Sequence, residues 1–177
     1  KIKENIELSK FTTFRIGGLA KYFTIIKSEE DLRESLAFAK TRKLPIFVLG
    51  GGSNLLINDS GFGGLVIKNE IKGIKFVDKD QDKVIVEIGA GEVWDEVVAF
   101  AVTRNLSGLE NLSGIPGTVG GAAVQNAGAY GSELKDCAVS IEGFNLANSK
   151  KFSFSKSECK YSYRDSIFKQ NKKLLIT

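Results

Sequence analysis

Thirteen of the nineteen glycines in this 177-residue chain fall in two short windows, and that clustering constrains the fold more than any other feature. Six lie in residues 50–64 (Gly50, Gly51, Gly52, Gly61, Gly63, Gly64) and seven in residues 108–131 (Gly108, Gly114, Gly117, Gly120, Gly121, Gly128, Gly131). Glycine reaches left-handed φ without a Cβ clash and lets another group approach the backbone closely. The chain therefore has two places where backbone turns sharply or is closely approached. Regular helix and strand must be built from what lies between.

Composition narrows the class of protein. Apolar residues make up 42% and charged residues 26%, enough to bury the core of one domain or of two small ones. No apolar run reaches the roughly 18 residues of a membrane helix, and Lys-Ile-Lys-Glu-Asn at the start lacks an apolar signal segment. A soluble, cytoplasmic chain is expected. There is no His, so a Ser-His-Asp or Cys-His centre cannot be assembled within the chain, nor a His-ligated metal. Cys137 and Cys159 form no metal-like cluster and read as buried free thiols; no metal site is expected. Met is absent even from position 1, consistent with a processed or truncated fragment.

The formal charge of +4 conceals an asymmetry. Residues 150–177 carry eight Lys/Arg (Lys150, Lys151, Lys156, Lys160, Arg164, Lys169, Lys172, Lys173) against Glu158 and Asp165, and the rest of the chain is net −2. Little aromatic interleaving and no nucleic-acid motif accompany the basic tail, so it reads as a solvated surface of strands and loops. Nucleic acid and membrane are not expected partners.

Away from the glycines, periodicity alternates short strands with two helices. Residues 22–26 read as a strand, followed by a helix opening on Ser28 with Glu29, Glu30 and Asp31 in its first turn. Leu32, Leu36 and Ala39 recur at helical spacing, and Lys40, Arg42 and Lys43 close the helix ahead of Pro45. Residues 46–49 and 65–67 read as buried-type strands, giving a strand–helix–strand unit expected to pair in parallel. Past Lys72-Gly73, residues 74–77 and 84–88 alternate about a polar turn at 78–83 as an antiparallel hairpin. Residues 92–104 predict a second helix with Val93, Trp94, Val97, Val98, Ala101 and Val102 on its apolar face. Residues 138–146 and 151–154 pair about Ala147-Asn148-Ser149, and residues 174–177 read as a strand left unpaired at the terminus. A subdomain boundary falls at residues 70–74.

The first glycine window follows a buried strand directly: Val48-Leu49-Gly50-Gly51-Gly52-Ser53-Asn54. Three glycines there can turn backbone N–H groups toward one point, and Ser53 and Asn54 add neutral donors. No Lys follows in the Walker position and no G-x-G-x-x-G opens a helix. A diphosphate held by neutral backbone donors fits better, with a tight turn at a sheet edge as the plain alternative. The second window has a single charge, Glu110, and small side chains over residues 117–128. Such a stretch lets a flat ligand lie against backbone, or lets helix and strand pack unusually close. Two glycine-rich segments and one subdomain boundary suggest a bulky ligand, such as a dinucleotide, in a crevice between lobes.

Several runs occur in order and carry a resemblance. They are Phe11-Thr12-Thr13-Phe14-Arg15-Ile16-Gly17-Gly18, Gly50-Gly51-Gly52-Ser53-Asn54, and the run from Gly108-Leu109-Glu110-Asn111-Leu112-Ser113-Gly114-Ile115-Pro116-Gly117 through Thr118-Val119-Gly120-Gly121. Gln125-Asn126-Ala127-Gly128-Ala129-Tyr130-Gly131 and Tyr163-Arg164-Asp165-Ser166-Ile167-Phe168-Lys169 complete the set. Together they resemble the UDP-N-acetylenolpyruvoylglucosamine reductase (UDP-N-acetylmuramate dehydrogenase) family of peptidoglycan precursor synthesis. The glycine segments alone resemble the broader vanillyl-alcohol-oxidase-like FAD fold.

The resemblance implies an α+β, two-lobed FAD-binding module, with a small βαβ lobe over residues 1–72 and a larger, mainly antiparallel lobe with helices over residues 73–177. It implies non-covalent FAD, with Gly50, Gly51, Gly52, Ser53 and Asn54 at the diphosphate. Ile115, Pro116, Gly117, Gly121, Val124 and Gly128 are expected around the cofactor, with Tyr130 toward the active-site side. NADPH is the implied hydride donor, a nucleotide-sugar enolpyruvyl ether the substrate, and the protein a monomer. Arg164 matches the family's active-site arginine, a role suited to a guanidinium facing a carboxylate that gains charge; taken alone it reads as a surface cation. The family's proton-donating serine, in a Gly-Ser-Phe-Phe-type motif, and its active-site glutamate belong to a third, substrate domain, and no such motif precedes Thr177. The chain is thus expected to be the FAD-binding portion of a longer enzyme, inactive by itself. Alternatives are an FAD-dependent sugar or alcohol oxidase of the same fold, or a non-catalytic nucleotide-binding module.

Overall fold

Continuous apolar runs suit strands buried on both faces, and the first half of the chain supplies one in Leu65, Val66 and Ile67, all fully buried. The computed structural model describes residues 1–79 and 82–177 and separates into two compact units, Lys1–Ile71 and Lys72–Thr177. In the first unit, β1 (Lys3–Glu7), β2 (Leu19–Ile26), α1 (Glu29–Thr41), β3 (Ile46–Leu49) and β4 (Phe62–Asn69) follow one another. The sheet order is β1-β2-β4-β3. Both β2 and β3 run parallel to β4, and β1 runs antiparallel to β2.

The expected parallel pairing is present, but β2 and β3 are not paired with each other. The most buried strand, β4, lies between them, with Gly64, Leu65, Val66, Ile67 and Asn69 all buried. The edge strand β1 was not legible as a strand: Lys3, Glu4, Asn5 and Glu7 are exposed, and charged side chains of this kind are how sheet edges are protected. α1 starts where expected, with the Ser28 hydroxyl accepting from the Asp31 N–H at 3.1 Å. It buries Leu32, Leu36 and Ala39 and packs on β2 and β4. A second cluster of Leu8, Ala20, Phe23, Leu49 and Val66 includes a Phe11–Phe23 stack at 4.6 Å.

The second unit opens on the hairpin β5 (Ile74–Lys79) and β6 (Val84–Ile88). Part of the turn expected at 78–83, Asp80 and Gln81, lies outside the described residues. α2 (Trp94–Val102) follows. It is shorter than the predicted 92–104 because Val93 still has extended backbone and the Thr103 hydroxyl bonds back to the Ala99 carbonyl. Trp94, Val97, Val98 and Ala101 are buried, but Val93 and Val102 are 39% and 50% exposed, so the apolar face is narrower than the sequence suggested. Next come α3 (Val119–Gln125), the two-residue strands β7 (Gly128–Ala129) and β8 (Ser132–Glu133), and α4 (Leu134–Cys137).

A three-stranded sheet closes the unit, with order β10-β9-β11: β9 (Ser140–Asn145), β10 (Lys150–Ser155) and β11 (Leu174–Ile176), with α5 (Ile167–Gln170) between the last two. β11 is not left unpaired as expected; it lies antiparallel to β9 on the edge opposite β10. The core gathers Trp94, Val98, Leu112, Ala122, Ala123, Leu134, Cys159 and Phe168. The Trp94 indole N–H donates to the Leu112 carbonyl at 2.8 Å. Both cysteines are free thiols, but only Cys159 is buried; Cys137, at the end of α4, is exposed. Burial pushes the Cys159 thiol pKa up. The lysines of residues 150–177 are all exposed. No helix among the described residues is long and apolar enough to cross a membrane.

Candidate functional site

The parallel strands β3 and β4 end side by side, Leu49 opposite Lys68, and the first glycine segment leaves from the carboxyl end of β3. Ligands of open sheets with parallel strands sit at that end. Gly52 has φ +72°, and a Cβ built there would lie 2.0 Å from the Phe11 carbonyl oxygen. The Thr13 N–H donates to the Gly52 carbonyl at 3.2 Å. The loop is therefore clasped, backbone to backbone, by residues 11–13. Gly50 and Ser53 are half-buried, whereas Gly51 and Asn54 are exposed.

Beside Gly51 lies an open depression of about 420 Å³ lined by Lys10, Phe11, Thr12, Thr13, Arg15 and Lys68. Three cations and no acid line it. Sequence reasoning had only neutral donors here, because Lys10, Arg15 and Lys68 are distant along the chain from residues 50–54. An anion fits this lining: an exposed glycine, the exposed Thr13 and three positive side chains, the Thr12 hydroxyl being taken by the Ile16 carbonyl.

The second glycine segment is held differently. The Asp95 carboxylate accepts from the Gly114 N–H at 2.7 Å and the Ser113 hydroxyl at 2.9 Å, and these bonds hold its pKa below the usual value. The Trp94 N–H donates to the Gly117 carbonyl at 3.0 Å. Gly114 and Gly117 have φ of +76° and +120°. At Gly120 a Cβ would meet the Ala90 Cβ at 2.9 Å, whereas at Gly121 its nearest neighbour would be the Thr118 hydroxyl at 3.6 Å. Close packing thus explains Gly120, and Gly121 has room. Ile115 and Val124 are partly buried against the core, and Pro116 is exposed. A Cβ at Gly128 would meet Ser132 and Glu133 at 2.9 Å, so this glycine lets β7 lie against β8. Tyr130 is 89% exposed on a left-handed backbone, φ +51°.

Arg164 stands at the tip of a turn closed by bridging between Ser162 and Asp165. Its φ is +54°, and the preceding Tyr163 is 85% exposed. No carboxylate among the described residues pairs with Arg164; the Asp165 carboxylate instead accepts from the Gln170 amide at 2.7 Å. The turn is tied to the end of α3. Asn126 is 1% exposed with φ +46°. It donates through Nδ2 to the Ser162 carbonyl at 2.9 Å and to Glu133 at 3.1 Å, and accepts the Lys135 N–H at 3.0 Å. The Ser166 hydroxyl donates to the Val124 carbonyl at 2.7 Å and caps α5. Lys169 Nζ donates to the Arg164 carbonyl at 2.8 Å and to Gln125 at 3.2 Å. Asn126, Ser166 and Lys169 were not singled out from sequence; only the preference of Asn for left-handed backbone and of Ser for helix starts hinted at them.

Residues 20–150 match the family described as "FAD binding domain". The chain belongs to this family. Its relatives bear out the resemblance carried by the ordered motifs. The chain is 43% identical over 170 residues to a UDP-N-acetylenolpyruvoylglucosamine reductase of Pseudomonas aeruginosa, covering 96% of this chain and 50% of that protein. Against the crystal structure of the Thermus caldophilus reductase of that name, the TM-score is 0.79 at 30% identity, over 100% of this chain and 60% of the other. A VAO-type flavoprotein of Myceliophthora thermophila shares the fold, with a TM-score of 0.55 at 20% identity over 75% of this chain and 26% of its own. The fold is thus the α+β FAD-binding fold expected from the motifs. The chain spans about half the length of the curated relatives it matches.

Proposed function

We propose that this chain is the FAD-holding half of a cytoplasmic, monomeric reductase. The parent enzyme would use NADPH to reduce the enolpyruvyl group of UDP-N-acetylglucosamine enolpyruvate to UDP-N-acetylmuramate. The observation that carries this reading is Arg164: a guanidinium without a carboxylate partner, held outward at a turn that Asn126, Ser166 and Lys169 fix from behind. A bound flavin supplies the two-electron relay between nicotinamide and the enolpyruvyl double bond. The chain's own residues bind and orient. The backbone of Gly50, Gly51 and Gly52, with Ser53 and Asn54, receives the diphosphate. The uncharged stretch with Ile115, Pro116, Gly117, Gly121, Val124 and Gly128 offers backbone to the flat ring, with Tyr130 on the substrate side.

Arg164 holds the substrate carboxylate bidentately and favours the negative charge that grows there as hydride adds to the far carbon of the double bond, the one not attached to the carboxylate. The proton that completes the reduction comes from outside these residues, so the 177-residue chain binds FAD but does not turn over. Two measurements test this. Purified chain should show a flavin absorbance band that is released on denaturation, as non-covalent binding requires. In the longer protein, Arg164→Ala should slow reoxidation of the reduced flavin by substrate about 10²-fold, the scale of losing one preorganised charge partner, while sparing flavin content. A near-normal rate would return Arg164 to the status of a surface cation. A flavin retained through denaturation would favour a covalent oxidase of the same fold.

A further inference from the structure

The depression beside Gly51 holds more positive charge than a neutral backbone cradle needs. Lys10 and Lys68 each have an acid within reach, Glu7 at 3.0 Å and Glu70 at 2.9 Å. Arg15 has none: it is the one guanidinium on this lining, with no ion pair or hydrogen-bonded side-chain partner among the described residues. It also sits on left-handed backbone, φ +56°, a conformation that disfavours any residue with a Cβ and that glycine would take freely. Its segment is not a loose loop. The Arg15 N–H donates to the Thr12 carbonyl at 3.1 Å, the Thr12 hydroxyl donates to the Ile16 carbonyl at 3.0 Å, and Thr13 is bonded to Gly52. An unpaired guanidinium kept at an unfavourable φ beside an exposed glycine loop is better placed to meet an incoming anion than to stabilise the unit.

We infer that Arg15 is a phosphate-binding residue, closing over the diphosphate of the nucleotide that the glycine loop receives. The inference rests on the proposed reading of residues 50–54 as the diphosphate loop and adds a charged, bidentate contact to it. Guanidinium geometry matches two phosphate oxygens at once, whereas an ammonium offers a point charge. Lys10 contributes long-range attraction, partly offset by Glu7.

The test is titration of the purified chain with FAD and with riboflavin, which lacks phosphate, followed by flavin fluorescence. Arg15→Gln should weaken FAD about 10-fold, flatten the dependence of its affinity on salt, and leave riboflavin unchanged. Arg15→Lys should recover part of the loss. Arg15→Gly should lose FAD affinity as Arg15→Gln does while unfolding no earlier than the parent, because glycine relieves the left-handed backbone; this separates ligand binding from a structural role. Unchanged FAD affinity in Arg15→Gln, or an equal loss for riboflavin, would overturn the inference. So would a variant weakened for UDP but not for FAD, which would place another nucleotide's phosphates at Arg15. If the unsubstituted chain takes up no FAD, the reading of residues 50–54 fails and the inference with it.

Discussion

The two glycine segments share a composition but are held by different forces. Residues 50–52 are fixed by backbone: Gly52 lies so close to Phe11 that a Cβ would fall 2.0 Å from its carbonyl oxygen, and three cations from two other segments of the unit line the depression beside Gly51. The segment at 113–117 is fixed by a carboxylate, Asp95, and Gly114 has nothing within 4 Å of where its Cβ would lie. Clustered glycine therefore marks where backbone is special without saying why. At Gly52 the reason is contact as well as conformation; at Gly114 it is conformation alone.

That contrast predicts its own largest effect. Gly52→Val combines a left-handed φ with a clash against a carbonyl that the Thr13–Gly52 bond holds in place, and should destabilise the first unit by about 3 kcal/mol. Gly114→Ala carries only the conformational penalty, about 1 kcal/mol. Urea unfolding of both variants decides it: equal losses would mean that the close approach at Gly52 relaxes freely and that the two segments do not differ.

The next effect concerns the turn that presents Arg164. Asn126→Gly keeps the left-handed backbone but removes the bonds to Ser162, Glu133 and Lys135, and should cost about 2 kcal/mol. Ser166→Ala, which removes a buried hydroxyl bonded to Val124 and the cap of α5, should cost a similar amount. Amide exchange should then rise at Ser162 and Asp165 and not at Thr13. Uniform exchange across both units would show that the loss is global and not a loosening of this turn. Smaller again is Gly51→Val. Because Gly51 is exposed, the fold should persist while FAD affinity falls about tenfold, roughly 1.4 kcal/mol. An unchanged affinity would remove Gly51 from the diphosphate loop.

Much of the frame was legible beforehand, for reasons these residues make plain. β3 and α1 were readable because Ile46, Phe47, Val48 and Leu49 form one apolar run and Ser28 with its acidic first turn marks a helix start; these are local signals. The insertion of β4 between β2 and β3 was not, since periodicity says which residues are buried but not which strand is central. β1 was invisible because its residues are those that protect an edge. In the candidate site, the glycines were found by composition, but Lys10, Arg15 and Lys68 look like any surface cation until the sheet brings them to one end. Asn126 and Lys169 act across intervals of 36 and 5 residues, and the longer of these leaves no periodic trace.

The smallest effect is also the one that separates the two segments by chemistry alone. Asp95 has its pKa lowered in the fold, first by the Gly114 N–H and then by the Ser113 hydroxyl, both of which favour the charged form. A carboxylate with a depressed folded pKa contributes stability that is fully present above its ordinary value near 4 and is lost as pH falls through the folded pKa. The first glycine segment has no such group in its clasp, because the Thr13–Gly52 bond joins two backbone groups that do not titrate. Acidification below about pH 4 should therefore speed amide exchange at Gly114 relative to Thr13, after correction for the intrinsic pH dependence of exchange. Trp94, the only tryptophan, adjoins Asp95 and bonds to both Leu112 and Gly117, so its fluorescence should report the same change. In Asp95→Asn the acid-dependent part should disappear and Gly114 should exchange faster already at neutral pH. If Gly114 and Thr13 kept the same ratio of protection down to pH 3, the carboxylate would not be what holds the second segment, and the distinction between the two would rest on Gly52 alone.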